Sequence, residues 1–162
     1  AKAHKRFETW LRGKWLNEVG FSKSRHLYNM DDAKHFARKR NYILLVEGYF
    51  DVLVARANSM ENTCGVCGLA LTDYHVSTIK RYCDHVVFLL DPDDAGQRAL
   101  AKMRVTAEEG GLKHHAVFLP NNFDPDEFIL TYSGPVLRNA IENMIANDKK
   151  ELRINIRETK NT

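Results

Sequence analysis

The sequence predicts an α/β fold, with a mainly parallel central sheet of about four strands flanked by helices. Three observations support this. Two short, continuous apolar runs, Tyr42–Val46 and residues 85–90, have the composition of strands buried on both faces. Each run stops at an acidic segment that contains glycine and passes into a stretch of helical character. Strand-like and helix-like segments alternate through the middle of the chain, which is the order that a parallel sheet with crossover helices requires.

Residues 1–29 are basic and aromatic, with Trp10, Trp15, Phe21 and Tyr28 in a weakly periodic pattern. They predict a short helix and a loop that leans on something larger. Residues 31–40 read as a helix with acids at its front and Lys39 and Arg40 at its back, matching the helix dipole. The strand Tyr42–Val46 follows and stops at Glu47-Gly48. Residues 51–57 then read as a helix, 62–67 as a short strand, and 72–82 as an amphipathic helix with Thr72 as its N-cap. The second apolar strand ends at Asp91-Pro92-Asp93-Asp94-Ala95-Gly96, a helix continues over 97–109, and Gly110-Gly111 terminates it. Residues 115–119 give one more strand, which leads through Pro120 to Asp124-Pro125-Asp126-Glu127. Pro135 suits the first turn of a closing helix, and Val136, Leu137, Ala140, Ile141, Met144 and Ile145 mark one face of it. Residues 151–162 are polar and poorly patterned, either a frayed tail or the start of a further element. The organisation expected is an N-terminal segment over 1–29, a main domain over 30–132, and a C-terminal helix and tail over 133–162.

A chain of 162 residues is long enough for one full core and short for two. The formal charge of +3 is too small to imply nucleic-acid binding, but the ends are basic and the acids cluster in the middle. Three cysteines without a secretory leader do not describe a disulfide framework, and no apolar run is long enough to span a bilayer. A reducing cytoplasm is the expected setting. The chain begins at Ala1 rather than at methionine, and its first residues lack an apolar signal core, as in a piece of a longer protein.

In an open parallel sheet, ligands bind beyond the carboxyl ends of the strands, where loops and helix N-termini gather. Glu47 follows the first strand, Asp91 and Asp93 the third, and Asp124 and Asp126 the last, so three acidic groups fall on one edge. Asp51 stands one helical turn after Glu47. Carboxylates gathered in this way raise one another's pKa and repel unless a cation or a proton compensates. The candidate ligands are all oxygens, which selects magnesium, with manganese as a substitute, over zinc. A lone Asp-x-Asp is more simply read as a helix cap, with Asp93 or Asp94 capping the helix that begins near Ala95. The strand-end Glu-Gly, one helix-strand-helix passage upstream, favours a shared site.

At these residues the sequence resembles the TOPRIM family, whose members include bacterial DnaG-type primases, topoisomerases and related nucleases. It most resembles the primase form. The residues that carry the resemblance are Val46-Glu47-Gly48-Tyr49-Phe50-Asp51-Val52, Gly68-Leu69-Ala70-Leu71-Thr72, Leu90-Asp91-Pro92-Asp93-Asp94-Ala95-Gly96 and Phe123-Asp124-Pro125-Asp126-Glu127-Phe128. Phe21 to Asn29 is similar to the segment that precedes the first TOPRIM strand in primases. Leu69 in place of threonine, Pro92 in place of glycine, and Asp94 where a basic residue is common mark a divergent copy, of the kind a mobile element carries.

The resemblance implies a Rossmann-like TOPRIM fold and magnesium-dependent synthesis of RNA primers on a single-stranded DNA template from ribonucleoside triphosphates. It implies that Asp91, Asp93, Asp124 and Asp126 bind metal directly or through water and that Asp51 assists. Glu47 either binds metal or acts as acid or base, and the sequence leaves both roles open. Lys23 and Arg25 are candidates for holding triphosphate or template phosphate, against the simpler reading of a solvated basic loop. A zinc-binding module and a replicative helicase are partners expected elsewhere in a longer chain, and the isolated segment is expected to depend on them. Two other functions fit the same acids: strand cleavage of the nuclease or topoisomerase type, and metal-dependent nucleic-acid binding without activity. Cys64-Gly65-Val66-Cys67 has zinc-like spacing but lacks a full ligand set, and a strand interior explains it better. The histidines show no ligand spacing, and His114-His115 reads as surface or core packing. No phosphate-binding loop of the Gly-Lys-Ser or Gly-Lys-Thr type is present, which argues against a helicase within this segment.

Overall fold

Unbroken runs of apolar and β-branched residues form the centre of the sheet. The computed structural model describes residues 22–68, 70–120 and 123–154. Within it Tyr42–Val46 forms β1, Thr63–Gly65 forms β2 and His85–Phe88 forms β3, and every residue of the three strands is buried. Lys113–Phe118 forms β4 and Glu151–Arg153 forms β5. The helices are α1 (Met30–Arg40), α2 (Tyr49–Ala57), α3 (Asp73–Ile79), α4 (Asp94–Glu109), α5 (Pro125–Tyr132) and α6 (Gly134–Ala146). A single 3₁₀ turn, Lys23–Arg25, precedes them.

The strand order is β2-β1-β3-β4-β5 and all four pairings are parallel. From β1 the chain steps outward to β2, then returns to lay β3 on the other side of β1. The connections that leave the carboxyl ends of β1 and β3 therefore diverge, and a crevice opens between them.

Although β1 and β3 are apolar throughout, their side chains still alternate between two cores. Ile43, Leu45, Val86 and Phe88 face α1, α3 and α4 through Ala33, Ala37, Val76, Ile79, Ala99 and Met103. Tyr42, Leu44, Val46 and Val87 face α2, α5 and α6 through Val52, Ala55, Phe128, Ile129, Leu137 and Ile141. Each fully buried Leu, Ile or Phe contributes about 1.5–3 kcal/mol by leaving water, so a sheet covered on both faces holds its strand ends rigidly.

Helix caps agree with the sequence. The Thr72 hydroxyl accepts the His75 N–H at 3.3 Å, and Pro135 stands in the first turn of α6. α2 and α4 begin earlier than their apolar periodicity suggests, because Tyr49 and Asp94 follow directly on the glycine and aspartate caps.

Among the described residues the sheet has one strand more than the sequence predicts. Glu151–Arg153 lacks apolar alternation because it is an edge strand open to water, with two of its three residues exposed. Polar partners hold it instead: Arg104 pairs with Glu151 at 2.8 Å, and the Arg153 guanidinium lies 4.4 Å from the centre of the Phe118 ring. The helix expected early in 1–29, with Trp10, Trp15 and Phe21, and the tail beyond residue 154 lie outside the described residues. No described helix is long and apolar enough to cross a membrane.

Gly134 locks the last helix against the end of α2. A Cβ there would lie 1.9 Å from the Asn58 carbonyl oxygen, so Gly134→Ala must displace backbone. We expect it to destabilise the fold by roughly 1–3 kcal/mol, seen as a lower urea midpoint at unchanged slope.

Candidate active site

Glu47 is the first residue beyond β1, and Asp91 lies just past β3, its nearest neighbour in the sheet. Leu45 pairs with Phe88, and the Leu89 N–H donates to the Leu45 carbonyl at 3.0 Å, carrying the ladder to the strand ends. The two acids therefore meet across the crevice: Glu47 Oε1 accepts the backbone N–H of Asp91 at 3.2 Å. Gly96 permits this approach. A Cβ on it would lie 2.2 Å from the Asp91 carbonyl oxygen and 3.0 Å from Glu47 Oε1.

Three further carboxylates reach the same crevice from helix starts. Asp51 sits in the first turn of α2 and its Oδ2 accepts the Gly48 N–H at 2.8 Å, which fixes the turn after Glu47. Asp124 is the N-cap residue of α5 and Asp126 lies in its first turn, with Pro125 between them setting the helical entry. Glu47, Asp51, Asp91, Asp124 and Asp126 line one open cleft of about 420 Å³, with Lys23 on its rim.

Asp93 is not part of that lining. It caps α4, accepting the Gly96 N–H at 2.7 Å, as the helix-cap reading expects. Its charge nevertheless acts on both Glu47 and Asp91.

Lys23 is held by α3. His75 is buried; its Nε2 lies 3.0 Å from the Lys23 carbonyl and its Nδ1 accepts the Thr72 N–H at 3.3 Å. The Thr72 hydroxyl also donates to the Ser24 carbonyl at 2.8 Å. Arg25 points elsewhere, its guanidinium 5.5 Å from the centre of the Tyr74 ring, and it does not line the cleft.

Gathering the acids has an electrostatic consequence. Burial, followed by the charges of Asp91, Asp93 and Asp51, pushes the Glu47 carboxyl up to about 7. Burial again, then Asp51 and Asp124, pushes Asp91 up to about 6. The site thus carries more negative charge than the fold compensates, as a cation site does. Among the described residues no group of three or more His, Cys, Asp or Glu side chains is gathered tightly enough to hold a metal ion. Magnesium suits this arrangement, since it takes one or two carboxylates and completes its shell with water and phosphate oxygens.

Cys67 is a lining residue that the sequence does not reveal. Cys64 is buried within β2, as expected, but Cys67 lies beyond the strand, with φ of 51°, and faces the cleft beside Gly68. Its N–H donates to the Glu47 carbonyl at 2.9 Å. Tyr49 and Phe50 complete the wall. The sequence hides it because residues 62–67 read as one continuous strand, whereas the strand ends at Gly65.

A carboxyl whose pKa is raised on folding adds stability below its unfolded value and loses it as pH rises through the folded one. In chelator-treated buffer, Glu47→Gln should therefore match the parent chain near pH 4. Near pH 8 it should exceed the parent by on the order of 1–2 kcal/mol, the figure discounted for solvent screening of a half-exposed group. Urea denaturation at the two pH values measures the difference.

The comparisons with known proteins agree with this geometry. The Toprim-like family model matches residues 44–129, more than half of the chain and the part that carries the cleft acids. A DNA primase of Aquifex aeolicus is 32% identical over 123 residues, which are 76% of this chain and 25% of that protein. The chain thus spans about a quarter of the length of this relative. The crystal structure of the zinc-binding and RNA polymerase domains of the Aquifex aeolicus primase superposes with a TM-score of 0.70 at 30% identity, covering 79% of this chain and 32% of that one. A DnaG primase catalytic domain bound to single-stranded DNA superposes with a TM-score of 0.68 at 27% identity, covering 78% and 41%. With a parallel sheet whose carboxyl edge gathers acids from within the matched segment, the chain belongs to the Toprim-like family, in the form found in DnaG-type DNA primases.

Proposed function

We propose that the chain is the catalytic TOPRIM portion of a DNA primase, which makes RNA primers on single-stranded DNA from ribonucleoside triphosphates with magnesium. The observation that carries this reading is the cleft in which burial first, and neighbouring carboxylates second, push both Glu47 and Asp91 up. That uncompensated charge suits a divalent cation bridging to phosphate. The single-stranded DNA in the solved DnaG relative supports the choice of template.

In this reading residues 30–132 are the TOPRIM domain, 1–29 the remnant of an N-terminal core subdomain, and 133–162 a closing helix and tail. One or two of Glu47, Asp51, Asp91, Asp124 and Asp126 would hold magnesium directly and the others through water. Bound magnesium supplies activation of the attacking 3′-hydroxyl and neutralisation of the leaving pyrophosphate. Glu47, at about 7, holds or releases a proton near neutral pH and so suits either ligation or acid–base work. Asp93 acts with Glu47 and Asp91 by capping α4 and adding its charge to theirs. Lys23, on the rim, offers a contact to triphosphate, and Arg25 offers one to template phosphate further out. A zinc-binding module and a helicase are the partners this reading expects, acting together in the cytoplasm at the nucleoid.

The test is template-directed synthesis with magnesium. It uses the chain itself and the Aquifex aeolicus primase carrying residues 44–129 in place of its own matching segment. Magnesium-dependent oligoribonucleotide is the expected product, and Asp91→Asn should lower it on the order of a hundredfold or more while leaving the free energy of unfolding in urea within about 1 kcal/mol. Manganese added to the chain should broaden the resonances of Glu47 and Asp91 first. Template cleavage would reassign the site to a nuclease or topoisomerase type, and binding without product would reduce it to a binding module.

A further inference from the structure

The opposite edge of the sheet holds a pair of buried histidines. His85 begins β3 and His115 lies in β4; they are 8% and 2% exposed, and the ring centres are 5.1 Å apart. His85 Nδ1 lies 2.8 Å from His115 Nε2, and His115 Nδ1 lies 2.8 Å from the backbone carbonyl of Lys149. A carbonyl only accepts, so His115 carries its proton on Nδ1 and its Nε2 is a lone pair. That lone pair accepts the Nδ1–H of His85, and both protons of the neutral pair are accounted for.

Lys149 and Lys150 lead directly into β5. The Ala116 N–H donates to the Lys150 carbonyl at 2.9 Å, and the Ile154 N–H donates to the Phe118 carbonyl at 3.0 Å. The histidine pair is therefore the buried polar tie at the point where the edge strand joins β4. It spans three successive pieces of the sheet edge: β3, β4 and the turn before β5.

The geometry points to a pH-operated clasp: the neutral His85–His115 pair holds β5 on the sheet, and uptake of a proton by the pair releases it. The proton enters at His85 Nε2 and leaves both hydrogen bonds intact. The charge then sits on a buried ring facing His115 and Lys113, where it is held less well than in water, so opening the sheet edge around the pair relieves it.

The surroundings oppose protonation. Tyr42 is paired with His85 from β1 and is neutral. Lys113 is paired with His85 from β4, and Cys83 and Asp84 lie in the turn that leads into β3. From the turn before β5, Asp148 and Lys150 line a cavity of about 400 Å³ with His115, Lys113, His114 and Glu108. The carboxylates Asp84 and Asp148 favour charge on His85. Burial first, then His115 and Lys113, outweigh them and hold its ring below the usual histidine value. A group depressed in this way contributes its stability above its unfolded pKa, near 6.5, and loses it as pH falls through the folded one.

Release has a consequence beyond the edge. β4 is the strand whose far end leads to Asp124 and Asp126, and the Phe118 carbonyl there is tied to β5. Loss of β5 removes that brace from the strand that delivers two cleft acids.

Hydrogen exchange on the full chain, corrected for the chemical rate at each pH, tests the clasp. From about pH 7.5 to about pH 5, protection at Ala116 and Ile154 should fall about tenfold or more, while Leu45 and Val87 in the central strands keep theirs. In His85→Gln, which keeps a donor toward His115 but does not titrate, the fall should be largely abolished. Ring-nitrogen shifts of the unaltered chain provide a readout that needs no variant: His115 should show the Nδ1–H form at the higher pH, and His85 should take up a second ring proton toward the lower. Unchanged protection of Ala116 and Ile154, or the opposite His115 tautomer at the higher pH, overturns the clasp. An equal fall in His85→Gln overturns it as well.

Discussion

The parallel pairing of β1 with β3 is the interaction on which the rest of this molecule depends. Both strands are buried on both faces, so their register is held by two cores at once. That register brings Glu47 to the Asp91 backbone and fixes the switch point at which the chain's direction across the sheet reverses. The cleft is what the two diverging connections leave behind. Gly96 is the local condition for it, since a side chain there would occupy the space that Glu47 Oε1 and the Asp91 carbonyl now share.

Burial acts in opposite directions at the two ends of the sheet. At the carboxyl edge it raises Glu47 and Asp91, favouring protons or a cation where the fold supplies few positive charges. At the amino edge it lowers His85 and favours the neutral pair that ties down β5. The physical cause is the same, since a partly desolvated site disfavours whichever form is charged. The outcome differs with the residue type that the topology delivers to each end.

Much of this was legible in the chain. Tyr42–Val46 and the run through Phe88 announce buried strands, and the Glu-Gly and Asp-Pro-Asp that follow them announce strand ends. The Thr72 cap and the start of α6 could be read for the same reason: turn and cap chemistry is local. Cys67 and β5 could not. Cys67 faces the cleft only because its backbone turns through a positive φ after β2, and β5 is a polar edge whose strand character comes from its neighbour β4. Asp93 shows a third limit: its two readings, cap and site acid, share one position, and only its hydrogen bond to Gly96 shows that it caps while its charge reaches the cleft.

By itself the sequence determined the alternation of strands and helices, the acids at strand ends, and the family that those acids mark. These follow from side-chain periodicity and short-range chemistry, which are properties of the chain before it folds. Tertiary structure decided which strands are neighbours, and with that which acids share a cleft, that Lys23 lies on its rim while Arg25 lies over Tyr74, and that His85 meets His115. Strand order is set by how apolar faces bury against one another across the whole sheet, and no local pattern encodes it.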